Sequence, residues 1–136
     1  MTIDELLETQ YWVIDILPEQ VSAGAPGQYF AIERYWLEPS RLATVKRKHL
    51  DLILKLNCYR SVSLDEEETV NPGPKRIEEA VLNRYVCILT GDSMIISEPD
   101  DLCLTLYNPD EQLLELLRQL ATGEGLFVWK PEQQNV

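Results

Sequence analysis

The stretch between Leu42 and Leu56 constrains the fold of this chain more than any other segment. Apolar side chains and the chain's only histidine recur there at short, helix-like intervals, at Leu42, Val45, His49, Leu52, Ile53 and Leu56. This spacing places them on one side of an α-helix. The preceding Glu38-Pro39-Ser40 puts a proline in the first turn, where its missing N–H costs nothing. The sequence therefore predicts a long amphipathic helix over residues 39–57.

Several shorter segments are rich in aromatic and β-branched residues, which favour strands. In the segment 29–39, Tyr29, Ile32 and Trp36 also have helical spacing, but the aromatic content favours a strand. Gly91 and Asp92 lie between two apolar runs and predict a hairpin turn. The predicted strands are residues 11–17, 29–39, 58–64, 85–89, 94–97, 102–107 and 126–129.

Three further helices complete the predicted elements. Thr2 and Glu5 form a capping box before a short helix with Ile3, Leu6 and Leu7 on one side. A second is expected over residues 75–84 and a third over 109–121, with Asn108 as its N-cap. The order of elements predicts a single α+β domain over residues 1–136, with a mostly antiparallel mixed sheet and about three to four helices packed on it.

The composition argues against some classes of partner. A net charge of −11 and a pI near 4.4 oppose binding to nucleic-acid phosphate or to anionic lipid. Acidity is also typical of bacterial-type cytosolic proteins, because charge keeps them soluble. The first ten residues lack the positive and apolar regions of a secretory signal, and no apolar run is long enough for a membrane helix. We therefore expect a cytoplasmic protein that does not enter a membrane.

No residue pattern points to catalysis, a cofactor or a metal. The triplet Gly91-Asp92-Ser93 resembles the nucleophile block of GDSL-type esterases, but a predicted strand follows it and the only histidine lies upstream. Neither glycine-rich segment has the lysine and hydroxyl of a phosphate-binding loop. Cys58, Cys87 and Cys103 show no paired ligand spacing and are expected to be reduced and buried. The sequence therefore predicts no catalytic residues, cofactor or metal ligands.

The long helix also contains the chain's only strongly basic run. Residues 41–60 hold six basic side chains and one acid, a net charge of +5, so the other 116 residues carry −16 of the total of −11. Three interpretations compete: a solvated stripe balanced by acids of the same fold, a docking face for an acidic partner or the protein's own acidic surface, and a nucleic-acid contact through this helix. The candidate interaction residues are Arg41, Arg47, Lys48 and Lys55, together with the acidic run Asp65, Glu66, Glu67 and Glu68.

Three functional hypotheses follow from these observations. The first is a non-enzymatic domain that binds another protein and has an inhibitory, immunity-type or regulatory role. Its partner would be a basic protein or a second copy of itself. The second is a small enzyme or small-ligand-binding domain whose pocket combines carboxylates with Tyr or Trp, and in which His49 is a candidate ligand or pH switch. The third is nucleic-acid binding through the basic helix.

Overall fold

The computed structural model describes residues 1–132 and confirms the α+β prediction. Within that range it has five helices and one six-stranded antiparallel sheet. The helices are α1 (Ile3–Leu6), α2 (Tyr29–Trp36), α3 (Pro39–Tyr59), α4 (Pro74–Asn83) and α5 (Glu111–Gly123). The strands are β1 (Tyr11–Asp15), β2 (Ser63–Leu64), β3 (Val86–Thr90), β4 (Ser93–Ser97), β5 (Leu104–Tyr107) and β6 (Phe127–Trp129). None of the described helices has the length and hydropathy that a bilayer crossing requires.

The sheet has the strand order β2-β3-β4-β5-β1-β6, so the first strand of the chain lies between two of the last. Ile14 of β1 is opposite Leu104 of β5 on one side and Val128 of β6 on the other. The hairpin predicted between β3 and β4 is confirmed. Gly91 in its turn has φ +57°, a backbone conformation that glycine adopts without steric cost.

The main core lies between one sheet face and the helices α3, α4 and α5. Successive side chains of a strand point to opposite faces, and the helix-facing set includes Ile14, Ile95 and Leu104, all inaccessible to solvent. Leu52 and Ile53 of α3 are also fully buried. Burial of each such side chain contributes about 1.5–3 kcal/mol to stability. The buried residues of α3 confirm the predicted apolar side of the long helix, which packs in the main core.

The opposite sheet face has a much smaller cover. Leu6 of α1 is buried there against Met94, Cys87 and Ile96. The helix is only four residues long, and the predicted capping box holds it: Thr2 Oγ1 accepts from the Glu5 amide at 3.1 Å. The two faces of the sheet are therefore unequally protected, and three helices cover one of them.

The strand predicted for residues 29–39 is wrong, because this segment forms α2 and the start of α3. Tyr29, Ile32 and Trp36 use their helical spacing to lie along the same cavity. The Tyr29 hydroxyl donates to Glu33 Oε2 at 2.8 Å, a bond that links residues four apart and so suits only a helix. No residue of α2 is fully buried, so this local bond, and not packing in the core, is the contact that opposes the strand preference of the aromatic residues.

Two element boundaries also differ from the prediction. Helix α3 continues through Tyr59, so the strand expected over 58–64 is reduced to Ser63–Leu64, and Cys58 is exposed rather than buried. The N-cap of α5 is Asp110, which accepts from the Leu113 amide at 2.8 Å. Asn108 instead has φ +53° and donates through Nδ2 to the Asp92 carbonyl at 2.9 Å.

Candidate functional site

A cavity of about 430 Å³ lies beneath α2 and is the best-formed candidate site in the described residues. Five parts of the chain surround it: α2, the end of β1, the middle of α3, the segment before β5, and the turn between α5 and β6. We call this cavity the acidic cleft, because carboxylates are its main charged groups. It is lined by Asp15, Ile16, Leu17, Tyr29, Ile32, Glu33, Trp36, Leu37, Val45, Lys48, Asp100, Asp101, Leu102, Cys103 and Gly125.

Four carboxylates and one ammonium group line the acidic cleft, so its walls are net negative. Lys48 of α3 supplies the ammonium group. The Lys48 Nζ lies 3.5 Å from the position that a Cβ atom would take at Gly125, whose φ of +74° already disfavours any side chain. A Cβ atom there would make only an ordinary van der Waals contact with Lys48, so it is the backbone conformation that favours glycine at this position. Because like charges repel in a partly desolvated space, the cleft favours cations over anions.

Asp15 is the half-buried carboxylate at the end of β1. Its Oδ1 accepts from the Ile16 amide at 2.7 Å, which fixes the side chain at the strand end. Burial raises the pKa of Asp15, and the nearby charges of Asp101 and Glu33 raise it further, while the backbone bonds oppose the shift. The described residues supply no salt bridge to Asp15. Among residues 1–132 its carboxylate therefore has no ion-pair partner.

Helix α2 supplies both an acid and two aromatic rings to the cleft. The bond from the Tyr29 hydroxyl to Glu33 holds the carboxylate and is the main reason that the pKa of Tyr29 rises to about 12. Trp36 lies two helical turns further on and also lines the cavity. The cleft therefore combines carboxylates with a Tyr and a Trp, the combination expected for the small-ligand hypothesis.

The segment before β5 forms the opposite wall. Asp101 Oδ1 accepts from the Cys103 amide at 3.2 Å and from its thiol at 3.3 Å. Burial and the adjacent carboxylate raise the pKa of Cys103 far above its ordinary value. The thiol is therefore protonated at neutral pH and is a poor nucleophile.

Lys46 and His49 lie deeper in α3, in the same region of the molecule. Lys46 is 3% exposed, and its Nζ donates to Ser97 Oγ at 3.0 Å and to the Glu98 carbonyl at 2.8 Å. Burial lowers the pKa of Lys46 to about 8, although the carboxylates around it, Asp101 first, oppose this shift. The buried ammonium group ties α3 to the end of β4.

His49 is completely buried, and neither ring nitrogen has a hydrogen-bond partner among the described residues. Burial and the charge of Lys46 lower the pKa of His49 to about 3, and the nearby Leu102 backbone only partly opposes the effect. The imidazole is therefore neutral at physiological pH. The described residues contain no group of three or more His, Cys, Asp or Glu side chains that could hold a metal ion.

Most of the predicted basic interaction residues are paired within the fold. Arg41 pairs with Glu38, and its guanidinium carbon lies 3.6 Å from the Tyr35 ring centroid. Arg47 contacts Glu78 at 3.4 Å, and Lys55 pairs with Glu124. Among the predicted basic set, only Lys48 has no ion pair with a described residue, and it belongs to the acidic cleft. These contacts favour the interpretation of a stripe balanced by acids of the same fold.

The predicted acidic run divides into two kinds of residue. Asp65 pairs with Arg84 at 2.7 Å, and Glu67 pairs with Arg76. Glu66 and Glu68 are exposed and have no ion pair with a described residue. Their role in an interaction remains a prediction, and none of the run lines the acidic cleft.

Sequence reasoning missed the acids of the cleft and the buried lysine. Asp15, Glu33 and Asp101 lie in three separate segments, and 23 acidic residues make any one of them uninformative beforehand. Lys46 carried a usable signal: it precedes Leu50 by four positions and Ile53 by seven, which places it on a buried side of α3.

No protein-family model matches the chain, and comparisons with curated proteins and with solved structures returned no significant match.

Proposed function

We propose that this chain is a non-enzymatic, cytoplasmic domain that binds a basic protein partner, in an inhibitory, immunity-type or regulatory role. The observation that carries the proposal is the acidic cleft opening beside exposed apolar side chains of α2. A negative cleft attracts a basic partner, and an apolar rim supplies contact area from which water can be expelled.

The apolar side chains exposed at α2 support protein binding. Phe30 is 72% exposed, and Ile32, Tyr35 and Leu37 are also exposed. They are spread around α2 and its C-cap rather than confined to one side, but all four lie within eight residues of the chain. Aromatic residues are enriched at protein interfaces, and this local density distinguishes α2 from single exposed apolar residues elsewhere, which need no explanation.

The chemistry near the cleft supports binding rather than catalysis. The Cys103 thiol is protonated at neutral pH because its pKa is raised. The His49 ring lies outside the cleft lining, and its lowered pKa keeps it neutral without an orienting partner. Lys46 is engaged by Ser97 and the Glu98 carbonyl. A nucleophile paired with a suitable base is therefore not assembled from these groups.

Affinity purification with matched variants tests the proposal. The tagged protein is recovered from its native cells at low and moderate salt, and co-purified proteins are identified by mass spectrometry. We expect Phe30→Ser to lose a stoichiometric basic partner that Tyr59→Ser retains, since Tyr59 is 69% exposed at the far end of α3. Equal capture by the two variants, or no partner for the unmodified protein, would contradict the proposal.

A second candidate function is binding of a free small molecule. The acidic cleft favours it directly, because 430 Å³ lies within the range of about 300–1,000 Å³ typical of ligand pockets. Thermal stabilisation by an amine or guanidine metabolite, increasing with its concentration, would support this function. The absence of such stabilisation across cationic metabolites would exclude it.

A further inference from the structure

We infer that the acidic cleft is a receptor for a guanidinium group, supplied by an arginine side chain of the protein partner. The choice of a protein as the source rests on the proposed function, whereas the choice of a guanidinium rests on the cleft alone. The charge of the cleft, its open hydrogen-bond acceptors, its aromatic surface and its apolar rim all favour such a ligand.

The charge of the cleft is unbalanced within the described residues. Asp15 lies in the electrostatic field of Asp101 and Glu33, which add to burial in raising the pKa of Asp15. Lys48 is the one ammonium group among the lining side chains. A cation entering the cleft would stabilise the Asp15 carboxylate, which burial and the neighbouring negative charges destabilise.

Two walls of the cleft present carboxylate oxygens that are available to a ligand. Glu33 uses Oε2 to accept from Tyr29, and Asp101 uses Oδ1 to accept from Cys103. No donor from the described residues bonds to Glu33 Oε1 or Asp101 Oδ2. A guanidinium has five N–H donors in one plane, so a single group can engage acceptors on two walls, which suits it better than an ammonium.

Aromatic surface in the cleft also favours a planar cation. Tyr29 and Trp36 both line the cavity, and guanidinium groups stack on such rings. Helix α2 already holds one such pair within the fold, since the Arg41 guanidinium carbon lies 3.6 Å from the Tyr35 ring centroid. A second guanidinium would thus meet the same chemistry on the cleft side of the helix.

The rim indicates a protein as the source of the guanidinium. Ile32 and Leu37 line the cleft and are nevertheless 49% and 39% exposed, so apolar surface borders the entrance on the α2 side. Interface hot spots typically place a buried anchor residue, often arginine, inside a ring of contacts that exclude water. A free metabolite would leave this apolar rim in contact with solvent.

Binding of small capped amino acids to the whole chain tests the guanidinium preference. The probes are N-acetyl-arginine methylamide, its neutral citrulline analogue and the corresponding lysine compound, titrated into ¹⁵N-labelled protein and followed by amide chemical shifts. We expect saturable shifts around the cleft for the arginine probe, weaker binding of the lysine probe and none for citrulline. Equal binding of arginine and citrulline, or no binding of arginine, would overturn the inference.

A charge-matched pair of variants localises the effect. Glu33→Gln with Asp101→Asn keeps acceptors for Tyr29 and Cys103, so the fold should persist, but removes two charges from the cleft. We expect roughly tenfold weaker binding or more, the loss associated with one charge-assisted hydrogen bond. The control, Glu8→Gln with Asp51→Asn, removes the same charges from exposed positions outside the cleft and should bind normally. Equal weakening in both would overturn the assignment to the cleft.

The two proposals fail in distinguishable ways. If Phe30→Ser abolishes partner capture but the arginine probe does not bind, the protein-binding function stands and the guanidinium site is wrong. If the probe binds and no partner is captured, the site stands and the protein source is wrong. Much tighter binding of agmatine than of the capped arginine would likewise overturn the protein source and favour a free small molecule.

Discussion

The ammonium nitrogen of Lys46 lies 3.0 Å from the hydroxyl oxygen of Ser97, and both side chains are buried. The two residues are 51 positions apart in the chain. Their contact, with the bond to the Glu98 carbonyl, places a positive charge between the long helix and the sheet. Such a charge has a cost, because burial removes its hydration and is the main cause of its lowered pKa.

The Lys46 pair predicts a specific dependence of stability on alkaline pH. The unfolded chain holds this proton up to the ordinary lysine pKa of 10.5, whereas the folded protein releases it near pH 8. Between these values the folded state binds fewer protons, so this group makes the unfolding free energy rise with pH. Relative to Lys46→Met, the unmodified protein should gain on the order of 3 kcal/mol across that window, measured by urea unfolding. Parallel pH profiles for the two proteins would contradict this.

His49 predicts the behaviour in acid. The pKa of His49 is about 3 in the folded state and 6.5 in the unfolded state. Between pH 6.5 and pH 3 the unfolded state therefore binds a proton that the folded state does not bind. Stability is therefore lost as the pH falls. Between pH 7 and about pH 4, we expect the unfolding free energy of His49→Leu to fall by on the order of 3 kcal/mol less than that of the unmodified protein. Since the chain has one histidine, identical acid unfolding of both proteins would rule out this account.

Two substitutions of Asp110, one by Ala and one by Asn, should differ in their effect on the unfolding free energy. Asp110 caps α5 through the Leu113 amide and makes two bonds to the Arg60 guanidinium, at 3.0 and 3.1 Å. Asp110→Ala removes the cap and the ion pair and should lower the unfolding free energy by about 1–2 kcal/mol. Asp110→Asn keeps an acceptor for the cap and should lose less than half as much. If urea unfolding gives the same loss for both, the cap is not the stabilising element.

Asp65 is predicted to stabilise the fold, in contrast to its acidic neighbours. It has φ +55°, accepts from the Cys87 amide at 3.0 Å and pairs with Arg84 at 2.7 Å. Asp65→Ala should therefore cost about 1–3 kcal/mol in thermal or urea unfolding. Glu66→Ala and Glu68→Ala should stay within about 0.5 kcal/mol, as is usual for exposed positions. A similar loss at all three positions would show that the loop acts as a unit.

The main layers of the fold could be predicted from local patterns. Helix α3 followed from the recurrence of Val45, Leu52 and Leu56, and the β3–β4 hairpin from the apolar runs around Gly91. Helix α2 was not predicted, because its aromatic content favours a strand although Tyr29, Ile32 and Trp36 have helical spacing. Periodicity alone does not decide between helix and strand in so short a segment.

The local sequence patterns could not predict the candidate site, for a different reason. The cleft depends on Asp15 at a strand end, Glu33 in the misassigned helix and Asp101 in an irregular segment. No periodicity connects these positions. The basic stripe was visible because its residues are adjacent in sequence, but most of those charges are paired within the fold. Functional hypotheses from sequence favour residues that are adjacent in the chain, whereas the residues that line this cleft come from separate segments.

The position of β1 between β5 and β6 has a consequence for synthesis on the ribosome. Residues 11–15 are made early, yet their partners at Leu104–Tyr107 and Phe127–Trp129 are made near the end of the described chain. Strand β1 therefore has no partner strand while most of the described chain is translated, because β5 and β6 have not yet been made. Bringing these distant strands together also closes a long loop, which has an entropic cost. Co-translational assembly can begin with α3, α4 and the β3–β4 hairpin, whereas completion of the sheet must wait for the synthesis of β5 and β6.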